Sequence, residues 1–385
     1  MMTRFRFLTA GESHGRGLTV ILEGVPASLP LDEEYIARDL RRRQAGYGRS
    51  PRMGIEQDRA EILSGVRHGL TIGSPITLLI WNRDWENWKG TMSVSPPEQE
   101  IQPLTRPRPG HADLAGVTKY GLEDIRPILE RSSARETAAR VAAGAVARRF
   151  VEEFGIEIHS HTLAIGGQWA DLEGPVDWQQ VEQSTVRCAD AEAGKSMIAA
   201  IDEAISTGDT VGGVFEVMAT GVPVGLGSHV HWDRRLDGRI AQTMMSIPSV
   251  KGVEIGVGFG LANLKGSQAH DLLEVSHKPP YCWRHATNRA GGIEGGISNG
   301  EPIVVRAVVK PIPTLGQPLD SVDLATKAKV KAHFERSDVC AVPAAGVIGE
   351  AMLAIVLADA ILEKFGGDNL KETRRNYRSY LRSIR

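Results

Sequence analysis

Residues able to do chemistry concentrate in four stretches of this 385-residue chain. The first, Gly11-Glu12-Ser13-His14-Gly15-Arg16-Gly17, separates two short apolar runs, Phe5 to Thr9 and Leu18 to Leu22. Its glycines let the backbone bend sharply and approach a partner, so Ser13 and His14 sit at the tip of a strand–loop–strand unit. The second is an arginine crowd: Arg38, Arg41, Arg42, Arg43, Arg49, Arg52 and Arg59, interleaved with Gly46, Tyr47 and Gly48. Guanidinium grips carboxylate or phosphate through two parallel hydrogen bonds, so this window reads as anion recognition as well as a solvated basic face. The third, Arg106-Pro107-Arg108-Pro109-Gly110-His111-Ala112-Asp113, presents His111, a candidate general acid because imidazole titrates near neutrality. The fourth, Glu130 to Thr137, crowds Arg131, Ser132, Ser133 and Arg135 at a helix start, where backbone donors and the macrodipole favour an anion.

Regular elements must hold these stretches. Ser133 with Glu136 reads as a capping box, and an apolar face with small side chains runs from Ala134 to Phe154 before Gly155 stops the helix. Near the other end, Arg336-Ser337-Asp338-Val339-Cys340 precedes a second apolar helix, about Ala345 to Phe365, closed by Gly366-Gly367. The likeness of the two stretches reads as an internal duplication with two central helices. A helix is expected from Leu31 to Arg43 with Asp32 as its cap, and others from Lys195 to Ser206 and Arg235 to Ser246. Strands are expected at Ile76–Trp81, Ile156–Ile165, Val214–Thr220 and Glu301–Lys310, with a glycine-spaced strand between Ser249 and Gly260. Asn82 to Gly90 reads as an exposed loop whose tryptophans either pack it down or cover a planar ligand. Ser276 to Gly300 reads as a long loop whose paired glycines turn backbone amides towards something flat or anionic.

The bulk numbers exclude several classes. With 45 basic and 47 acidic residues, no global field draws nucleic acid or a membrane surface. No apolar run of about 18 residues is seen, and the first ten residues lack a signal core. Three widely spaced cysteines fit a reducing cytoplasmic setting rather than a disulfide framework. His159 with His161, and His229 with His231, have zinc-compatible residue types but no acidic or thiol partner at ligand spacing, so no metal is expected. No linker divides the chain. Residues 1–366 are expected to form a single α+β domain, and 367–385 a basic tail.

The ordered set of motifs resembles the chorismate synthase family. Gly11-Glu12-Ser13-His14-Gly15, Gly46-Tyr47-Gly48-Arg49, Arg108 to Asp113, Arg131 to Thr137, Gly291-Gly292-Ile293-Glu294-Gly295-Gly296 and Arg336 to Cys340 all match, in family order. The resemblance implies a β-α-β sandwich, with antiparallel sheets either side of central helices, assembled as a homotetramer. It implies a lyase that eliminates phosphate from 5-enolpyruvylshikimate 3-phosphate to give chorismate, with reduced FMN and no net redox change. By motif match, His14 protonates the departing phosphate, His111 sits by the flavin's pyrimidine edge, and Asp338 with Ser13 assists proton movement. Arg43, Arg49 and Arg135 face the substrate anions. Arg131, Ser132, Ser133, Pro248, Ser249, Gly295, Lys310, Pro311, Ile312, Pro313, Thr314 and Arg336 fall in the FMN-binding segments. The family often has Asn-Ala where this chain has Pro248-Ser249, and proline removes a donor there. Some members reduce their flavin with NADPH, others rely on a separate flavin reductase; no inserted segment here argues for the first. Read without the family, the histidine pairs suggest a metal-dependent phosphatase and the arginines a non-catalytic anion-binding scaffold.

Overall fold

The computed structural model describes residues 4–50, 56–97, 100–172, 174–277 and 281–384. Arg52 of the arginine window lies outside them. In chain order the elements that matter are strands β1 (Arg6–Ala10) and β2 (Gly17–Glu23), helix α1 (Glu33–Gln44), strands β3 (Glu61–Ser64) and β4 (Ile76–Trp81), and helices α2 (Trp85–Met92), α3 (Asp113–Tyr120), α4 (Arg126–Arg131) and α5 (Thr137–Glu152). There follow β5 (Glu157–Ile165), β6 (Gln168–Trp169), α6 (Ala191–Thr207), β7 (Gly213–Thr220), α7 (Leu236–Met245), β8 (Val250–Ile255), β9 (Ile303–Val309), α8 (Val342–Phe365) and α9 (Leu370–Ser383).

Two antiparallel sheets enclose the helices, as expected for an α+β sandwich. One has the order β1-β2-β4-β3 and the other β8-β9-β7-β5-β6. Helix α5 packs on the first sheet, α8 on the second, and the two helices pack on each other. Small residues allow that approach: a Cβ on Gly144 would lie 2.3 Å from the Ala351 Cβ. Helix α8 is long and apolar enough by composition to cross a membrane, but it is buried inside the protein. Its mid-length Glu350 is fully buried and meets Arg42, Arg148, Arg187 and Ser160. The basic tail forms helix α9, capped by the Asn369 side chain, with Tyr377 edge-on to Phe154 and Phe365.

Three local expectations change. Asn82 to Gly90 is largely the helix α2 rather than a loop. Gly256 to Gly260 leaves the sheet after Ile255 and turns into a short 3-10 helix, because Gly256 and Gly258 have positive φ. The helix behind the Arg-Ser-Ser start opens with a 3-10 turn, in which Ser133 accepts from the Arg135 amide. Glu136 completes no capping box; its carboxylate instead takes Thr9 Oγ1 and Arg140 Nε. Arg126–Arg131 forms a helix of its own before this turn.

Candidate active site

A cavity of about 350 Å³ opens where the two central helices begin. Ala134, Arg135 and Thr137 line it from the start of α5, and Ala341, Ala344, Ala345 and Ile348 from the start of α8. Both helix N-termini thus present their positive ends to the same space. Six cationic side chains, Arg43, Arg49, Arg108, Arg135, Lys310 and Arg336, line it against two carboxylates, Glu335 and Asp338. Ile247, Pro248, Ile312 and Pro313 add an apolar wall.

Both candidate histidines line the cavity, each held by a buried carboxylate. Gly11 makes the His14 loop possible: its φ is +106°, and a Cβ there would lie 2.3 Å from the Gly17 carbonyl oxygen. The loop is tied to α4 by the Ser13 amide on the Glu130 carbonyl, 3.1 Å. The Glu130 side chain accepts from the His14 amide at 2.7 Å and meets His14 Nδ1 at 2.9 Å. Trp88 of α2 stacks on the imidazole, with centroids 3.9 Å apart. His111 Nδ1 lies 2.6 Å from Asp113 Oδ1, and Arg108 Nε donates to Asp113 Oδ2 at 2.9 Å. Burial pushes the Asp113 carboxyl up, but hydrogen bonds from His111 and Arg108 outweigh it and hold it well below the usual range.

Of the arginines expected to face substrate, Arg43 and Arg135 share one acid and Arg49 pairs with another. Arg43 donates to Thr137 Oγ1 and to the Ala134 carbonyl, both at 2.9 Å, and pairs with Asp58 at 3.4 Å. Burial, with Arg49 and Arg135 nearby, outweighs Asp58 and pushes its pKa down to about 10. Arg135 pairs with the same Asp58 and donates to Asn82 Oδ1 at 3.0 Å. Asn82 Nδ2 in turn donates to the Gly15 carbonyl at 2.7 Å, so one amide joins Arg135 to the His14 loop. Arg49 pairs with Asp338 at 2.9 Å, and the Ser50 amide donates to the other Asp338 oxygen at 2.7 Å. Ser133 Oγ donates to Ser13 Oγ at 3.1 Å.

Of the segments named from sequence, Ser132, Ser133, Pro248, Ser249, Lys310, Ile312, Pro313, Thr314 and Arg336 line this cavity. Three do not. Arg131 turns back to the loop, donating to the Gly11 carbonyl at 2.8 Å and the Thr9 carbonyl at 3.0 Å. Pro311 lines a separate hollow beside Trp169, which Lys310 borders as well. Gly295 and Gly296, with φ of 58° and 84°, are the two-residue turn of a hairpin pairing Ile293–Glu294 with Ile297–Ser298. Ser249 itself has a φ of 70°, and its carbonyl accepts from the Lys310 amide at 2.9 Å. Sequence reasoning missed Glu130, Arg108, Asp113 and Glu335 as site groups. The first three stand inside motifs already noticed, but nothing in their spacing marks them as partners of histidines. Among the described residues no cluster of His, Cys, Asp and Glu could hold a metal. His161 instead meets Glu216 at 3.0 Å, and His159 stacks on Trp178.

Two helix starts, two carboxylate-held histidines and a surplus of cations define an enzyme acting on a small polyanion. The chorismate synthase family model matches residues 5–362. A chorismate synthase of Moorella thermoacetica is 59% identical, covering 98% of this chain and 100% of its own length, and one of Aquifex aeolicus is 56% identical, covering 99% and 98%. A crystal structure of chorismate synthase superposes with a TM-score of 0.80 at 47% identity, covering 99% of this chain and 98% of that one. The chain belongs to the chorismate synthase family. It is a carbon–oxygen lyase of the shikimate pathway: an anti 1,4-elimination of phosphate converts 5-enolpyruvylshikimate 3-phosphate to chorismate, towards aromatic amino acids.

Proposed function

We propose that this cavity holds the substrate and reduced FMN together, and that the carboxylate-held histidines and Asp338 move the protons of the elimination. The observation that carries this reading is convergence: Ser13, His14, Arg43, Arg49, His111, Arg135, Arg336 and Asp338 come from distant segments and line one space. The lining also suits the cofactor. Ser132, Ser133, Lys310 and Arg336 offer donors for a phosphate, while Ile247, Pro248, Ile312 and Pro313 offer an apolar face for a planar ring system. When bound, reduced FMN lends electron density as the phosphate leaves and recovers it afterwards.

The protein's share is binding, orientation and proton delivery. Arg43, Arg49 and Arg135 orient the phosphate and the two carboxylates of the substrate. His14, with Nδ1 against Glu130, keeps Nε2 for the departing phosphate, to which it delivers a proton. His111, held by Asp113 and Arg108, would sit by the flavin's pyrimidine edge. Ser13 and Asp338 assist proton movement at the reactive flavin nitrogen. A homotetramer in the cytosol, supplied with reduced flavin by its own NADPH-dependent activity or by a separate reductase, completes the reading. The three cysteines, none in a disulfide, suit that compartment.

The test is anaerobic phosphate release from 5-enolpyruvylshikimate 3-phosphate with reduced FMN. His14→Ala or His111→Ala is expected to slow turnover by roughly tenfold to ten-thousandfold. Unchanged rates in both variants, or phosphate release without flavin, would remove this assignment.

A further inference from the structure

Glu130 is fully buried, ends the fourth motif's upstream side, and touches no ligand surface of the cavity. Its carboxylate is committed to one loop: it takes the His14 amide and His14 Nδ1, while its own carbonyl takes the Ser13 amide. Arg126, one turn earlier on α4, donates to Glu130 Oε1 at 3.3 Å and also pairs with Glu335 in the cavity wall. The Arg126 guanidinium lies 5.2 Å from the centroid of Trp88, the ring that stacks on His14. We infer that Glu130 is the positioning residue for His14: it fixes the tautomer and orientation of the ring.

The physical argument is that of a histidine backed by a buried carboxylate. A carboxylate against Nδ1 holds the proton of the neutral ring on that nitrogen and leaves Nε2 for the ligand. The loop needs such a partner because its glycines leave it little intrinsic rigidity. Trp88 completes the clamp by stacking on the ring's face, which explains why a polar segment carries that tryptophan. Glu130 and Arg126 of α4 stand behind the ring, with Glu335 beyond Arg126, and the shared cavity brings Arg49, Arg135, Arg336 and Asp338 to its other side. Only the Glu130 carboxylate contacts the imidazole nitrogen among the described residues.

The experiment compares Glu130→Gln and Glu130→Asp in the full-length protein with reduced FMN. Gln keeps the size and a neutral acceptor; Asp keeps the charge. For Glu130→Gln, kcat is expected to fall by about tenfold or more. KM is expected to change by less than about threefold, since the ring acts on the reaction rather than on binding. Glu130→Asp, which keeps a carboxylate acceptor, is expected to recover most of kcat. Wild-type kcat in Glu130→Gln, or identical kcat and KM in the two variants, would overturn the inference. A second measurement needs no variant at Glu130: nitrogen NMR of histidine-labelled wild type, assigned by comparison with His14→Asn. A neutral His14 protonated on Nε2 would equally overturn it.

Discussion

Arg42 and Arg43 are neighbours in sequence, yet their guanidiniums enter opposite electrostatic settings. Arg42 meets Glu350 at 2.7 and 2.9 Å and Glu182 at 2.7 Å, inside a cluster where Arg148 and Arg187 also converge on Glu350. Burial alone would lower the Arg42 pKa, but Glu350, Glu182 and Asp39 outweigh it and raise it. Arg43 turns from the last turn of the same helix into the cavity, beside Arg49 and Arg135, and is pushed down to about 10. The core cluster satisfies its cations with acids of the protein. The cavity leaves a surplus of positive charge, which an incoming anion would complete. The difference teaches that an arginine run does not announce which member binds ligand; the acids that fold up against each one decide it.

The largest effect should come from breaking the core side of that pair. Glu350→Gln leaves three arginines around a neutral amide, and removing one partner of a buried ionic cluster costs about 3–5 kcal/mol. Denaturant unfolding should show this loss, while kcat of the folded protein stays within about twofold, since Glu350 touches no cavity residue's ligand face. A loss under about 1 kcal/mol would mean the cluster is not the structural one. The pH sign also follows. Burial raises the Glu350 carboxyl, but the arginines outweigh it and hold it well below the usual range. Its stabilising contribution is therefore present above the unfolded-state pKa of about 4.3, and is lost only as pH falls through the depressed folded value.

Breaking the cavity side should give the reverse pattern. Arg43→Met keeps the buried stem and removes the charge. Losing charge-assisted hydrogen bonds to a substrate anion costs about 1.5–3 kcal/mol, so kcat/KM should fall by roughly tenfold to 150-fold. The stability cost should be smaller than that of Glu350→Gln, because Asp58 keeps Arg135. Steady-state kinetics beside denaturant unfolding would check both halves; a larger stability loss than in Glu350→Gln would reverse the comparison.

How much of this was legible in sequence follows from the range of the interactions. Elements with strong periodicity were readable: β4 spans Ile76–Trp81, as expected, and Asp32 caps α1 by accepting from the Tyr35 amide. The two central helices and the enclosing sheets were readable for the same reason. The convergence of Ser13, His14, His111, Arg135 and Asp338 on one cavity was reached through ordered motifs and the family they resemble, since no local rule brings those segments together. Elsewhere local rules met distant partners. Glu136 has capping-box spacing, but Thr9 and Arg140 claim its carboxylate. Arg131, expected in an FMN-binding segment, donates to carbonyls of the His14 loop, and Gly295, expected in another, stands in a hairpin turn. Glu130 was in view and its meaning was not, because its partner lies 116 residues away.

Lys310 offers the smallest and sharpest probe of the cavity's positive surplus. It lines the cavity, donates to the Gly110 carbonyl, and loses its proton more readily than a free lysine, first through burial and then through Lys251. A cation with a lowered pKa is lost as pH rises through that lowered value, so anion affinity should weaken on the alkaline side earlier than an ordinary lysine would allow. FMN affinity in the presence of substrate, followed by flavin fluorescence from about pH 7 to about pH 10, should therefore decline by roughly threefold to tenfold. Lys310→Arg keeps its charge over that span, because guanidinium does not titrate there, and should flatten the decline while keeping affinity at neutral pH. If the wild-type and Lys310→Arg curves run parallel, Lys310 does not face the bound anion. The alkaline loss would then belong to another group of the wall, and the cavity's surplus would rest on its arginines alone.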